Sequence, residues 1–282
     1  MSGSQGKTII VTGASDGIGL ESASQLAAQG HHLVLVGRNP GKLAAAVKRL
    51  EHETPTVEVA SFVCDFASLA DVRKLAKDLL AAYPRIDVLV NNAGTVYDKR
   101  TLTGDGYEST FAVNHLAPFL LTELLLDRII ASGSARIVTT ASVGHYRGTM
   151  DFDDLGFERG YQIMRAYSRS KLANVLYTRS LTHRLAGTGV TANCLHPGTV
   201  ATNIWSGAPA VAKPILAVAK KLFMVFPAEG GGTLTYLATN AEVEGRSGGY
   251  YEKNRLKEPA ELAQDDAVGQ RLVEVSRDMV GL

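Results

Sequence analysis

The chain has 282 residues, 45% hydrophobic and 20% charged, so it can bury a sizeable core and is not a disordered chain. Lys plus Arg number 29 and Asp plus Glu 28, a net charge of +1, which excludes nucleic-acid binding through bulk charge. The two cysteines, Cys64 and Cys194, exclude a disulfide framework and point to a reducing, cytoplasmic setting; no Cys/His cluster has zinc spacing, so no metal is expected.

Met1 to Lys7 is short and polar, and no run reaches the roughly 18 apolar residues of a spanning helix, so neither a secretory leader nor an integral membrane anchor is expected. Ile9-Ile10-Val11 predicts a first strand that ends at Gly13. A helix fits Gly17 to Gln29, with Gly30 as its stop. Leu33 to Val36 is the second strand, ending at Gly37-Arg38. Pro40 opens a helix with Leu43, Val47 and Leu50 on one face. Val57 to Val63 is a third strand ended by Asp65, and Leu69, Val72, Leu75, Leu79 and Leu80 mark the next helix. Ile86 to Val90 is a fourth strand ended by Asn91-Asn92-Ala93-Gly94. A single long helix is predicted over Tyr107 to Ser132. Ile137-Val138 lies in a fifth strand closed by Ser142, and a second long helix covers about Tyr161 to Leu185. Val190 to Leu195 is a sixth strand closed by His196-Pro197-Gly198.

Near-continuous apolar strands alternating with helices predict an α/β fold: a doubly wound parallel (Rossmann) sheet, helices on both faces, in a single domain. About seven strands are expected, with order 3-2-1-4-5-6 for the first six. Such folds bind ligands beyond the carboxyl ends of their strands. Gly13, Arg38, Asp65, Asn91, Ser142 and Pro197 all stand at those ends.

Thr12-Gly13-Ala14-Ser15-Asp16-Gly17-Ile18-Gly19 joins the first strand to the first helix. Its glycines permit positive φ and close backbone approach, and the helix N-terminus offers N–H groups to a pyrophosphate. The spacing is G-x₃-G-x-G rather than G-x-G-x-x-G. A carboxylate about 20 residues past the glycines would select NAD. The corresponding stretch here is Gly37-Arg38-Asn39, and an arginine there suits a ribose 2′-phosphate. NADP(H) is therefore the expected cofactor, with Asp16 a contrary acid in the loop.

This glycine turn, with Asn91-Asn92-Ala93-Gly94, Tyr167-Ser168-Arg169-Ser170-Lys171 and Pro197-Gly198-Thr199, resembles the short-chain dehydrogenase/reductase family over about residues 7–250. Val113 to Phe119, Ser170 to Leu176, His196 to Val200 and Asp151 to Leu155 are most similar to its retinol dehydrogenase-like branch. The resemblance implies hydride transfer between NADP(H) and a carbonyl or alcohol through Asn114, Ser142, Tyr167 and Lys171. It implies cofactor contacts from Gly13, Ser15, Asp16, Gly17, Ile18, Gly19, Arg38, Asn92, Ala93, Gly94, Tyr167, Lys171, Pro197, Gly198, Val200 and Thr202, and from Asp65 on the adenine.

Tyr167 and Lys171 at i, i+4 share one helix face. Alone they would read as an exposed pair; in this motif order they read as an acid/base tuned by a cation. A charge about 4 Å away at effective dielectric near 20 is worth roughly 4 kcal/mol, about three pKa units. Ser142 would bond the substrate oxygen, and the family's Asn supports a water chain to the lysine. His145 and Tyr146 either line the substrate pocket or are plain loop residues. His115 reads as a packed helix residue, and the cysteines as inert core.

Thr199 to Phe226, with Trp205, Leu216, Leu222, Phe223 and Met224, is expected to form an apolar substrate lid, followed by a C-terminal helical extension over about 258–282. A membrane-surface retinoid or lipid dehydrogenase would use the same apolar face, anchored by Lys213, Lys220 and Lys221. A non-catalytic dinucleotide-binding regulator is the other alternative, but it has no need of Tyr167 and Lys171 together. Family members often form homo-oligomers through the two long helices, so pairing there is open.

Overall fold

In a computed structural model, residues 6–198 and 227–282 are described; the lid segment with Val200 and Thr202 lies outside them. The apolar run at the start forms β1 (Thr8–Thr12), followed by α1 (Gly17–Ala28) and β2 (His32–Gly37). Next come α2 (Pro40–Glu53), β3 (Val59–Val63), α3 (Leu69–Ala82) and β4 (Val88–Asn91). The chain continues through α4 (Ser109–Phe111), a π-helical turn (Ala112–Leu116), α5 (Ala117–Ala131) and β5 (Arg136–Thr140). A 3₁₀ turn (Val143–Arg147), α6 (Ile163–Arg184) and β6 (Thr191–His196) follow. The remainder is α7 (Pro227–Thr239), β7 (Tyr250–Glu252), β8 (Arg255–Lys257) and α8 (Asp266–Val280).

The strands form one sheet in the order β3-β2-β1-β4-β5-β6-β7-β8. All pairings are parallel except β7 with β8. Eight strands rather than about seven arise because Lys253 and Asn254, both at positive φ, turn the chain back into an exposed antiparallel strand. A three-residue polar strand has no apolar period to read.

Successive residues of β1 face opposite layers. Ile10 packs with α3, α5 and α6, whereas Ile9 and Val11 pack with α1, α2 and α7. β2 repeats the alternation with Val34 and Val36 against Leu33 and Leu35. Both faces are therefore dry, as a parallel sheet requires. Polar side chains fix the helix starts: Asp16 accepts from Gly17 N, Asn39 from Lys42 N beside Pro40, and Ser68 from Asp71 N.

The helix expected as continuous over 107–132 instead carries the π turn at its centre, around Asn114. Pro118 supplies the reason. It has no N–H for the Asn114 carbonyl four residues back, and its ring crowds that carbonyl. Ala117 N–H reaches Ala112 O, five residues back. Ser109–Ala131 is also long and apolar enough to cross a membrane, but 89% of its apolar window is buried within the protein. It is the core helix of this sheet's face.

Helix α8, the expected C-terminal extension, packs on α6. Arg179 pairs with Asp266 at 2.7 Å, and Arg277 reaches Glu123 of α5 at 2.9 Å. Part of the helical surface on which pairing of copies was expected is thus occupied by the chain's own C-terminus.

Candidate active site

The chain reverses sides of the sheet between β1 and β4, and the crevice this leaves is where doubly wound folds hold ligands. A cleft of about 990 Å³ opens there. It is lined by Gly13, Ser15, Asp16, Gly17, Ile18, Arg38, Asp65, Asn92, Ala93, Gly94, Ser142, Tyr167, Lys171, Pro197 and Gly198. The structure therefore brings together residues spread over 185 positions of the predicted set (Gly13 to Gly198). Gly19 and Asn114 do not line it.

Gly13 and Gly17 adopt φ of +67° and +56°. A Cβ on Gly13 would stand 2.9 Å from Ala93 Cα, so the β1 and β4 turns touch. Gly19 serves packing. Its Cβ would meet Gly13 O at 2.4 Å and Asn92 Nδ2 at 2.6 Å. Gly19→Ala is expected to lift α1 from the turn, costing about 1–3 kcal/mol of stability and weakening nucleotide binding. A thermal melt together with an NADPH titration checks this; an unchanged melt with full binding would contradict the packing role.

The Asn91–Gly94 segment is scaffolding as well as wall. Thr12 Oγ1 accepts the N–H groups of Asn92 at 2.9 Å and Ala93 at 3.0 Å, and Asn92 Nδ2 donates to Thr12 O at 3.0 Å. At the other end Arg38 follows β2, with Asp65 beyond β3. Asp16 pairs with Lys42 of α2 at 2.9 Å, so the loop's acid carries its own counter-charge. Lys42 lines the cleft too.

Ser142 closes β5 and caps the 3₁₀ turn, its Oγ accepting from Gly144 N at 3.1 Å. An Oγ that accepts from the turn keeps its own hydrogen for another partner. That partner is Tyr167, whose phenol hydrogen-bonds Ser142. Lys171 is 2% exposed, and its Nζ donates to Thr140 O at 3.0 Å. Asn114 lies just behind the wall. It accepts from Thr95 N at 2.7 Å and donates to Ser170 Oγ at 3.0 Å. A Cβ on Gly94 would stand 3.2 Å from Asn114 Oδ1 and 3.5 Å from Lys171 Nζ, so a side chain there would press on the Asn114 amide.

The electrostatics differ from the sequence expectation. Burial pushes the Tyr167 phenol above its ordinary 10, and the Ser142 hydrogen bond pulls the other way. Burial also pushes Lys171 down to about 8. The lysine Nζ sits 5.8 Å from the Tyr167 ring centroid, and its own charge is disfavoured by the same dry surroundings. Without cofactor the phenol is therefore held as a proton donor, rather than tuned toward a base.

Tyr146 lines the cleft, while His145 is fully buried behind it. His115 is packed, as expected. Cys64 and Cys194 are free and buried, on one face of the sheet but several strands apart, with thiols pushed up to about 12. Among the described residues no group of His, Cys, Asp or Glu could hold a metal.

A family model described as short chain dehydrogenase matches residues 7–210. The chain belongs to the short chain dehydrogenase family. Retinol dehydrogenase 14 of Homo sapiens is 40% identical, across 98% of this chain and 87% of the relative, which places the chain in the retinol dehydrogenase-like branch. A solved structure from Mycobacterium paratuberculosis, of an uncharacterized protein, is 28% identical with a TM-score of 0.79, covering 98% and 93% of the two chains. A short chain dehydrogenase of Escherichia coli CFT073, solved with NADPH, is 25% identical with a TM-score of 0.69, covering 88% and 97%. This membership makes the chain a dehydrogenase/reductase.

Sequence reasoning missed Thr12, Lys42, Thr140 and Ser170. Thr12 had a signal, since it directly precedes the first glycine. Lys42 had one also, a cation four residues past Arg38. Thr140 acts through its carbonyl, which no side chain advertises.

Proposed function

We propose that this protein is an NADPH-dependent reductase of apolar carbonyl compounds, and the corresponding alcohol dehydrogenase in reverse. The observation that carries the reading is a single cleft lined by the glycine turn, Arg38, Ser142, Tyr167 and Lys171. The residues fit a dinucleotide. The positive-φ glycines form a cradle at a helix N-terminus, and the volume matches a large ligand site. Arg38 and Lys42 stand where a 2′-phosphate would need cations, with Asp16 already paired to Lys42. The NADPH complex of the Escherichia coli relative supports the same choice.

The bound nicotinamide supplies the hydride, or accepts it in the oxidative direction. Ser142 Oγ–H orients the substrate oxygen beside Tyr167. As that oxygen gains an electron pair, the Tyr167 hydroxyl gives it a proton. Lys171, held by Thr140 O and brought down to about 8, returns a proton to the phenolate near neutral pH. Asn114 holds the Thr95 backbone and Ser170 that surround the lysine.

Val143, Tyr146 and Met164 line the cleft while about half exposed (53%, 48% and 50%), an apolar wall that selects an apolar substrate. Retinal, the aldehyde counterpart of the relatives' named substrate, is the first compound to test. Wild-type kcat/KM should favour NADPH over NADH by at least about tenfold, roughly 1.4 kcal/mol. Arg38→Asp should erase or invert that ratio. Equal use of both cofactors by the wild type would remove Arg38 from the 2′-phosphate site.

A further inference from the structure

His145 does not line the cleft, yet both of its ring nitrogens are engaged beside it. It is 0% exposed. Nδ1 lies 2.7 Å from the Ser142 carbonyl oxygen, and Nε2 lies 3.0 Å from Ala260 N. A carbonyl can only accept and a backbone N–H can only donate. These partners admit a single tautomer: Nδ1 carries the hydrogen and Nε2 the lone pair. The ring packs against Tyr146, with centroids 4.1 Å apart, and against Tyr250 of β7, 4.6 Å apart. The neighbouring Tyr146 hydroxyl donates to Glu258 O. Two adjacent aromatic residues thus tie the turn that follows Ser142 to the segment that follows β8. Burial lowers the His145 pKa, in keeping with a neutral ring.

We propose that His145 is a positioning residue: its Nδ1–H fixes the Ser142 carbonyl and with it the place of the Ser142 hydroxyl, while the Ala260 N–H, by occupying the Nε2 lone pair, sets the tautomer that makes Nδ1 the donor. This rests on the reductase reading above. The Ser142 carbonyl also accepts the His145 backbone N–H at 3.0 Å, and Tyr167 hydrogen-bonds the Ser142 side chain. The Ser142 Oγ bond to Gly144 N lies within the turn, so it orients the hydroxyl without anchoring the turn. The imidazole adds a further anchor, a second donor on the Ser142 carbonyl from a ring pinned at Ala260 N. Loss of that anchor acts on the reaction, because a displacement of about 1 Å at a reacting group can cost on the order of a hundredfold in rate.

Three substitutions separate positioning from packing. An Asn amide nitrogen falls near the place of His Nδ1, a Gln amide near that of Nε2, and Phe keeps the ring with neither hydrogen bond. His145→Asn should keep kcat for retinal reduction within about threefold of wild type, while His145→Phe and His145→Gln lose about tenfold or more. NADPH binding, read by its fluorescence, should be unchanged in every folded variant. A purely structural histidine would instead make activity follow the melting temperature, with the ring-preserving Phe retained best; that ranking would overturn the proposal. If the Phe variant does not fold, Asn against Gln decides it, and equal kcat in those two overturns it. Nitrogen-15 NMR of histidine-labelled wild type, with His145→Asn to assign the signal, should show the Nδ1–H tautomer. An Nε2–H tautomer would refute the clamp even if no aldehyde were turned over, whereas an inactive wild type showing Nδ1–H would count against the reductase reading alone.

Discussion

Replacing Tyr167 by Phe should lower kcat by about a thousandfold or more and leave NADPH affinity within about twofold. The tyrosine is 9% exposed and its ring is part of the cleft wall, so Phe preserves the shape and removes only the hydroxyl. Ser142 can polarise the substrate oxygen but is a poor acid, and the Lys171 ammonium is engaged by Thr140 O. Steady-state kinetics with retinal and an NADPH titration on the folded variant check this. A near-normal kcat would remove Tyr167 from the proton transfer.

Lys171→Met should also abolish turnover, yet make the free enzyme more stable. The lysine is 2% exposed, and its ordinary 10.5 is lowered to about 8 by burial. The folded state thus disfavours the charged form. Below pH 8 the folded and unfolded chains both carry the proton, and folding bears the full penalty. The penalty is relieved as the pH rises from about 8 toward 10.5. The shift corresponds to about 3 kcal/mol. Met avoids that term but leaves Thr140 O with only the longer bond from Asn174 at 3.4 Å, a loss of about 1 kcal/mol. The balance is a rise in melting temperature of about 4 °C for a chain of this size. The stability of wild type should climb between pH 8 and 10.5, and the variant should lack that component. A melt lower than wild type at neutral pH would mean that the buried charge is solvated by more than Thr140.

Much of the fold was legible in local chemistry. The apolar strands, the Gly30 stop and Pro40 each predict an element boundary within a few residues of the observed one. What was not legible depends on contacts between distant segments. The π turn at Ala112–Leu116 needed Pro118 to be read as a statement about Asn114 rather than as a mere helix residue. The β7–β8 hairpin is too short and too polar to carry a period. In the site, the glycine turn is named by its spacing, and Ser142, Tyr167 and Lys171 by the family resemblance. His145 was left between pocket and loop, because its partners are two backbone groups, at Ser142 and Ala260, that have no sequence signature. In the cofactor-free protein burial raises the Tyr167 pKa, a second feature without a local signature. The spacing to Lys171 is visible in the sequence, but the burial that outweighs it is not.

The reading as a reductase meets its most direct test in the product of a single incubation. Wild-type protein, retinal and NADPH deuterated at the transferable position of its nicotinamide should yield retinol with one deuterium on the former aldehyde carbon, and the Tyr167→Phe variant should yield almost none. Retinol that carries no label, or labelled retinol formed at an undiminished rate by the variant, would contradict the account.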